Sequence, residues 1–183
     1  MAKTLISTPL DITTSDTAVS TVDITSGITS SYPVYEFHFV NMHPETDGAK
    51  FKFQVNASGQ TDFNEVITST FWRAYHSEDD SSTSLGYYAS WDQAEGTALQ
   101  YLTNNVGNDD DQSTSGMLTL YAPSSITYVK HFVARNHVYA SSDFSYDAHV
   151  AGYINTTAAI DEIRLQFDPG NIDAGTIKMF GVS

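Results

Sequence analysis

From Pro33 onward, apolar and polar side chains alternate with a period of two. Tyr35, Phe37 and Phe39 share one face of a predicted strand, with Val34, Glu36, His38 and Val40 on the other. After Asn41-Met42-His43-Pro44 and an Asp47-Gly48 turn, Phe51, Phe53 and Val55 alternate with Lys50, Lys52 and Gln54. The two runs predict a hairpin-like pair, the second strand half-buried. Further strands are predicted over 66–75, which contains Phe71 and Trp72, and over 117–121, 127–139, 148–154, 160–167 and 176–182. The cleanest alternation sets Ile163, Leu165 and Phe167 against Glu162, Arg164 and Gln166.

Two segments fall outside this rhythm. Residues 1–31 carry isolated apolar positions among Ser and Thr, with only 19–24 alternating well enough for a short edge strand. They read as an N-terminal docking arm or edge strand, lying on its own domain or on a neighbouring subunit, ahead of a sandwich domain over 32–183. Between about 77 and 116 the pattern weakens into an acidic, Asn- and Ser-rich excursion. Leu99 and Leu102, at i and i+3, predict one short helix there over 92–102. Seven to nine short strands with almost no amphipathic helix predict an all-β fold. The expected form is an antiparallel β-sandwich with jelly-roll-like wiring, each sheet burying an aromatic-rich face.

Composition sharpens the picture. The chain has 183 residues, 21 Ser, 21 Thr, no Cys and a net charge of −14. That length suffices for one self-contained core, and the aromatic content is too high for disorder. Eight scattered Lys and Arg argue against nucleic acid, whose phosphates demand clustered cations. Leu5-Ile6 is far too short for a secretory apolar region, and no run approaches the about 18 apolar residues of a membrane span. No targeting segment and no membrane span are therefore expected.

Candidate chemistry is sparse. The chain lacks a Gly-x-Ser-x-Gly elbow, a phosphate loop and a His-Glu-x-x-His helix. His131 and His137 lie six residues apart on one strand, about 20 Å, too far to share an ion; a set with His149 is the remaining His alternative. Asp109-Asp110-Asp111 offers acceptors for calcium but lacks EF-hand spacing, and reads as a solvated loop. The expectation is no metal, no cofactor and no catalytic residue. Two Asn-x-Ser/Thr triplets, at Asn56 and Asn155, carry no meaning without a secretory route. Trp72, Tyr87, Tyr88, Trp91 and Tyr101 offer flat faces on which sugar rings can stack, and the last four are the candidate glycan-stacking residues.

Two stretches resemble a known group as sequence. Residues 31–44, Ser-Tyr-Pro-Val-Tyr-Glu-Phe-His-Phe-Val-Asn-Met-His-Pro, lead into Phe51-Lys52-Phe53-Gln54-Val55, and 170–182 contain Gly175-Thr176-Ile177-Lys178-Met179-Phe180-Gly181. Together they resemble tailed-phage virion proteins, many of them from marine and cyanobacterial phages, which typically end in a Gly-Thr-Ile-x-hydrophobic-aromatic-Gly strand. Phe180 stands here where Tyr is common. The resemblance implies a non-enzymatic part of a virion exterior, a tail fibre, tail appendage or capsid decoration protein, made in the host cytoplasm. It further implies contacts with other virion proteins, often a homotrimer, and no cofactor. The alternatives are a receptor-binding module for host-surface carbohydrate and, third, a polysaccharide hydrolase.

Overall fold

A computed structural model describes residues 2–183 and contains two antiparallel sheets packed face to face. The strands are β1 (Lys3–Ile12), β2 (Val22–Ile24), β3 (Val34–Pro44), β4 (Lys50–Ala57), β5 (Ile67–Ser77) and β6 (Thr83–Tyr87), followed by β7 (Gln100–Tyr101), β8 (Thr114–Tyr121), β9 (Lys130–Ala140), β10 (Phe144–Ile154), β11 (Ile160–Asp168) and β12 (Ile172–Val182). The large sheet has eight strands in the order β1-β12-β3-β8-β9-β10-β5-β6, and the small one four, β2-β11-β4-β7. The predicted β-sandwich is therefore the observed fold, and every strand expected from alternation is present.

The core lies where the aromatic faces of the two sheets meet. Phe39 of β3 and Phe51 of β4 pack edge-on at 5.0 Å between ring centroids, as do Phe53 of β4 and Phe132 of β9. These contacts correct the expected hairpin. β3 pairs with β12 and β8, whereas β4 pairs with β11 and β7, so the chain crosses between sheets at residues 45–49. Alternation and a Gly turn specify two strands and a reversal. They do not say whether the two Phe faces lie side by side or look at each other, and burial favours the second.

The expectation of a half-buried β4 also needs correction, because both its faces are covered. Lys52, Gln54 and Asn56 are at most 9% exposed. Gln54 Nε2 donates to the carbonyls of Glu65, Thr97 and Ala98, and Asn56 bridges Glu162 and the Phe63 amide. The polar face is thus roofed by the chain's own loops, held through groups that hydrogen-bond to it.

No helix forms over 92–102. Gly96 exchanges both backbone hydrogen bonds with Ile67, and Gln100 enters β7 with its side chain bonded to the Ser69 hydroxyl and the Trp91 carbonyl. One i,i+3 leucine pair in a segment that also contains Gly96 cannot offset the cost of helix nucleation. The 77–116 excursion in fact opens with a further strand, β6, hydrogen-bonded to β5.

The N-terminal 31 residues supply an edge strand to each sheet. β1 pairs with β12, β2 with β11, and Leu10, Val22, Ile24 and Ile28 are buried. β1 escaped the sequence pattern because its register shifts between Leu5 and Ser7 and again between Ser7 and Leu10. Each irregularity breaks the two-residue period that marks a strand.

β12 is interior, flanked by β1 and β3, with Ile177 and Met179 fully buried. Its two glycines answer one special backbone angle and one close approach. Gly175 has φ 135°, and a Cβ there would sit 2.8 Å from the Met42 sulfur. At Gly181 a Cβ would fall 2.3 Å from the Tyr32 ring. Gly175→Ala is expected to lower stability by about 1–3 kcal/mol, the cost of a side chain in sparsely allowed backbone space. Urea denaturation with an unchanged midpoint would show that the bulge relaxes instead.

Candidate functional site

The β5–β6 end of the large sheet gathers the exposed aromatic chemistry. Alternation along β5 sends Phe71, Arg73 and Tyr75 towards the interior and Trp72 outwards. Across the β5–β6 ladder Trp72 faces Tyr87. On its other side it faces His149 of β10, whose imidazole stacks on the indole at 3.8 Å and 7°. Trp72, Leu85, Gly86 and Tyr87 line a shallow slot of about 420 Å³. The Tyr87 hydroxyl donates to Asp92 at its rim, and that hydrogen bond raises the phenol's pKa.

The structure divides the four candidate stacking residues into three places. Tyr87 belongs to the outward slot with Trp72. Its neighbour Tyr88 turns to the opposite face and stacks on Trp91 at 4.5 Å and 12°. Both rings then cover Arg73, each centroid 4.7 Å from the guanidinium carbon, while Tyr146 closes the cage at 4.0 Å. Tyr101 lies on the small sheet, its ring under the Lys52 ammonium at 4.6 Å. Leu85, which lines the slot, was not singled out in the sequence, and His149, which stacks on its Trp72 wall, entered there only as a possible metal ligand. The signal for them was face parity along β6 and β10, readable only once those strands are known to flank β5.

Arg73 has no carboxylate partner. One guanidinium nitrogen donates to Asn104 Oδ1 at 3.1 Å and its Nε is buried without a partner. The aromatic cage is what holds this charge. Lys130 is a second unusual cation, fully buried, donating to the carbonyls of Tyr128 and Thr156. Burial pushes its pKa down, countered in part by the charge of Glu65.

Elsewhere the polar groups are dispersed. Among the described residues no group of three or more His, Asp or Glu side chains is placed to hold a metal ion. His137 instead hydrogen-bonds Ser145, and His149 lies 3.2 Å from Asp147. Asp109, Asp110 and Asp111 are exposed. An acidic depression of about 280 Å³ lies between the β5–β6 and β9–β10 turns, lined by Glu78, Asp79 and Asp143. Beside it, hydrogen bonding to Glu78, with burial and neighbouring carboxylates, pushes Tyr139 up to about 12. No helix among the described residues is long and apolar enough to cross a membrane. Comparison with family models, characterised proteins and solved structures finds no match for the chain.

The half-buried Arg73 and the buried Lys130 each carry a prediction. Arg73→Met keeps an unbranched, flexible stem and removes the guanidinium and its charge, and is expected to cost about 2 kcal/mol by the loss of the cation–π contacts; a denaturation midpoint equal to wild type would show that the rings pack equally well without the cation. For Lys130 the sign is the reverse of an ion-paired lysine. Its folded pKa lies below the unfolded value, so between the two the unfolded chain binds more protons and stability rises with pH. The stability difference between wild type and Lys130→Met is therefore expected to move in favour of wild type as pH climbs towards the ordinary lysine range, read from parallel denaturation curves.

Proposed function

We propose that this chain is a non-enzymatic structural component of a bacteriophage virion exterior, a tail fibre, tail appendage or capsid decoration protein. The observation that carries the reading is the likeness of residues 31–55 and 170–182 to tailed-phage virion proteins. In the fold those stretches are neighbours: β12 pairs with β3 from Ile172↔Pro44 to Val182↔Val34, and β4 packs beneath them. The shared sequence thus encodes one contiguous piece of sandwich. Its motif glycines answer a backbone need, which suits a scaffold and requires no reactive group.

In this reading the partners are other virion proteins and further copies of the chain, with a trimer the count that the resemblance implies. The N-terminal segment docks through its open edge, because β1 has a neighbour only on the β12 side. Synthesis takes place in the host cytoplasm and the protein resides on the particle surface. Immunogold labelling of particles is expected to decorate head or tail, and label confined to unassembled protein would overturn the assignment.

A second reading has its own observation, the slot lined by Trp72, Leu85, Gly86 and Tyr87. Its flat apolar walls, with Asp92 at the rim, suit a sugar ring, which stacks on aromatic faces while its hydroxyls bond to polar groups. It makes the protein a receptor-binding module for host-surface carbohydrate. Glycan-array binding by wild type that is lost in Tyr87→Ala and retained in Tyr101→Ala would support this reading. Equal binding by both variants would remove it.

A further inference from the structure

The two outward faces of the sandwich differ in kind. That of the small sheet is polar and partly roofed: loops cover Lys52, Gln54 and Asn56, while Arg164 pairs bidentately with Asp23 at 2.7 Å and lies over the Phe63 ring. That of the large sheet is bare. Of the nine large apolar side chains exposed among the described residues, all but Ile126 and Tyr128 lie on it. Four of them, Leu5, Val133, Trp72 and Tyr87, stand in two rows that each cross seven of the eight strands. One row is Leu5↔Phe180↔Glu36↔Thr119↔Val133↔Ala151↔Thr70, and the next runs from Lys178 through Met117 and Arg135 to Trp72 and Tyr87.

Charge separates this face from the rest of the molecule. Its strand positions carry Lys3, Arg135 and Lys178 against Asp11, Glu36 and Asp147. Each carboxylate is held within the face. Glu36 meets Lys3 at 2.6 Å and His38 at 2.8 Å, Asp147 accepts a fork from Arg135 at 2.8 and 2.9 Å, and Asp11 accepts from Thr176 at 2.8 Å. With the histidines neutral these six charges cancel, so most of the formal excess of −14 resides elsewhere on the molecule. Two such acidic chains repel one another at most approaches, and this face is where the like-charge penalty is least.

We propose that the outer face of the eight-stranded sheet is a self-association surface, covered in solution by another copy of this chain. The area fits. Eight strands at about 4.8 Å spacing are roughly 35 Å across and the outward rows extend about 25 Å along the strands, giving on the order of 850 Å² per copy. A stable interface buries about 800 Å² on each partner. The face also has the anatomy of an interface, with apolar positions such as Val133 and Met117 at its centre and the paired charges Lys3–Glu36 and Arg135–Asp147 among them, already satisfied within one copy. In a pair the face meets its equivalent; around a threefold axis it is shared between two neighbours.

The test is the mass of the full chain at micromolar concentration by sedimentation velocity. Wild type is expected to run as a multiple of its 20.1 kDa chain. Val133→Glu places a charge at the centre of the face on a side chain that is 47% exposed. It is expected to run at 20.1 kDa with an unchanged far-ultraviolet circular dichroism spectrum. Val40→Glu, on a different strand of the same face, provides the second variant should the first fail to fold. Tyr128→Glu, off the face, is expected to keep the wild-type mass. A monomeric wild type overturns the proposal, as does an oligomer unaffected by both face variants. Particle labelling is independent of these outcomes, so this surface and the virion reading can fail separately.

Discussion

The mismatch in width between the two sheets sets most of what is unusual in this molecule. Eight strands lie over four, so the small sheet cannot cover the interior side of the large one at its β5–β6 end. The chain solves this with the segment after β6, which folds Tyr88 and Trp91 onto Phe71 and Arg73 and then adds the short strand β7 to the small sheet. An arginine there would be costly if left bare in a low-dielectric interior. Enclosed by four aromatic rings and bonded to Asn104, it becomes the post on which the cover rests.

The cover is fastened by buried polar side chains. Gln54 reaches three loop carbonyls, Gln100 joins Ser69 to Trp91, and Asn136 donates to the Leu102 carbonyl. A loop that lies over apolar strands has backbone groups with no ladder to pair with, and these amides answer them one by one. The β8–β9 end follows the same rule, where Lys130 satisfies the carbonyls of Tyr128 and Thr156. A structured excursion without helix or long strand is possible because its hydrogen bonds come from the neighbouring sheets.

The distribution of charge complements this architecture. Carboxylates collect at turns and loops, such as Glu78, Asp79 and Asp80 between β5 and β6 and Asp109–Asp111 before β8. The strands of the large sheet keep theirs paired. Solubility is thus supplied at the ends of the sandwich, and the broad sheet face is left nearly neutral, a division suited to a part that associates through flat surfaces and stays dispersed otherwise.

Much of the fold was legible because period-two alternation is a local property. Tyr35, Phe37 and Phe39, or Ile163, Leu165 and Phe167, declare a strand and its inward face without reference to anything distant. The strands that escaped notice lack that signal for physical reasons. β1 is interrupted by register shifts, and β6 and β7, of 5 and 2 residues, are too short to show a period. The candidate site was legible only as an inventory of aromatic residues. Tyr87 and Tyr88 are adjacent in the chain and lie on opposite sides of the sheet, while Trp72 and His149, 77 positions apart, stack ring on ring. By itself the sequence determined the class of the fold and the inward face of each regular strand, since both depend on neighbours within a few residues. Only the tertiary structure decided that β3 and β4 belong to different sheets, that the N-terminal strands form one edge of each sheet, and which aromatic rings meet. Each of those outcomes depends on competition for buried area between segments far apart in the chain, and that competition leaves no mark in the order of residues along any one of them.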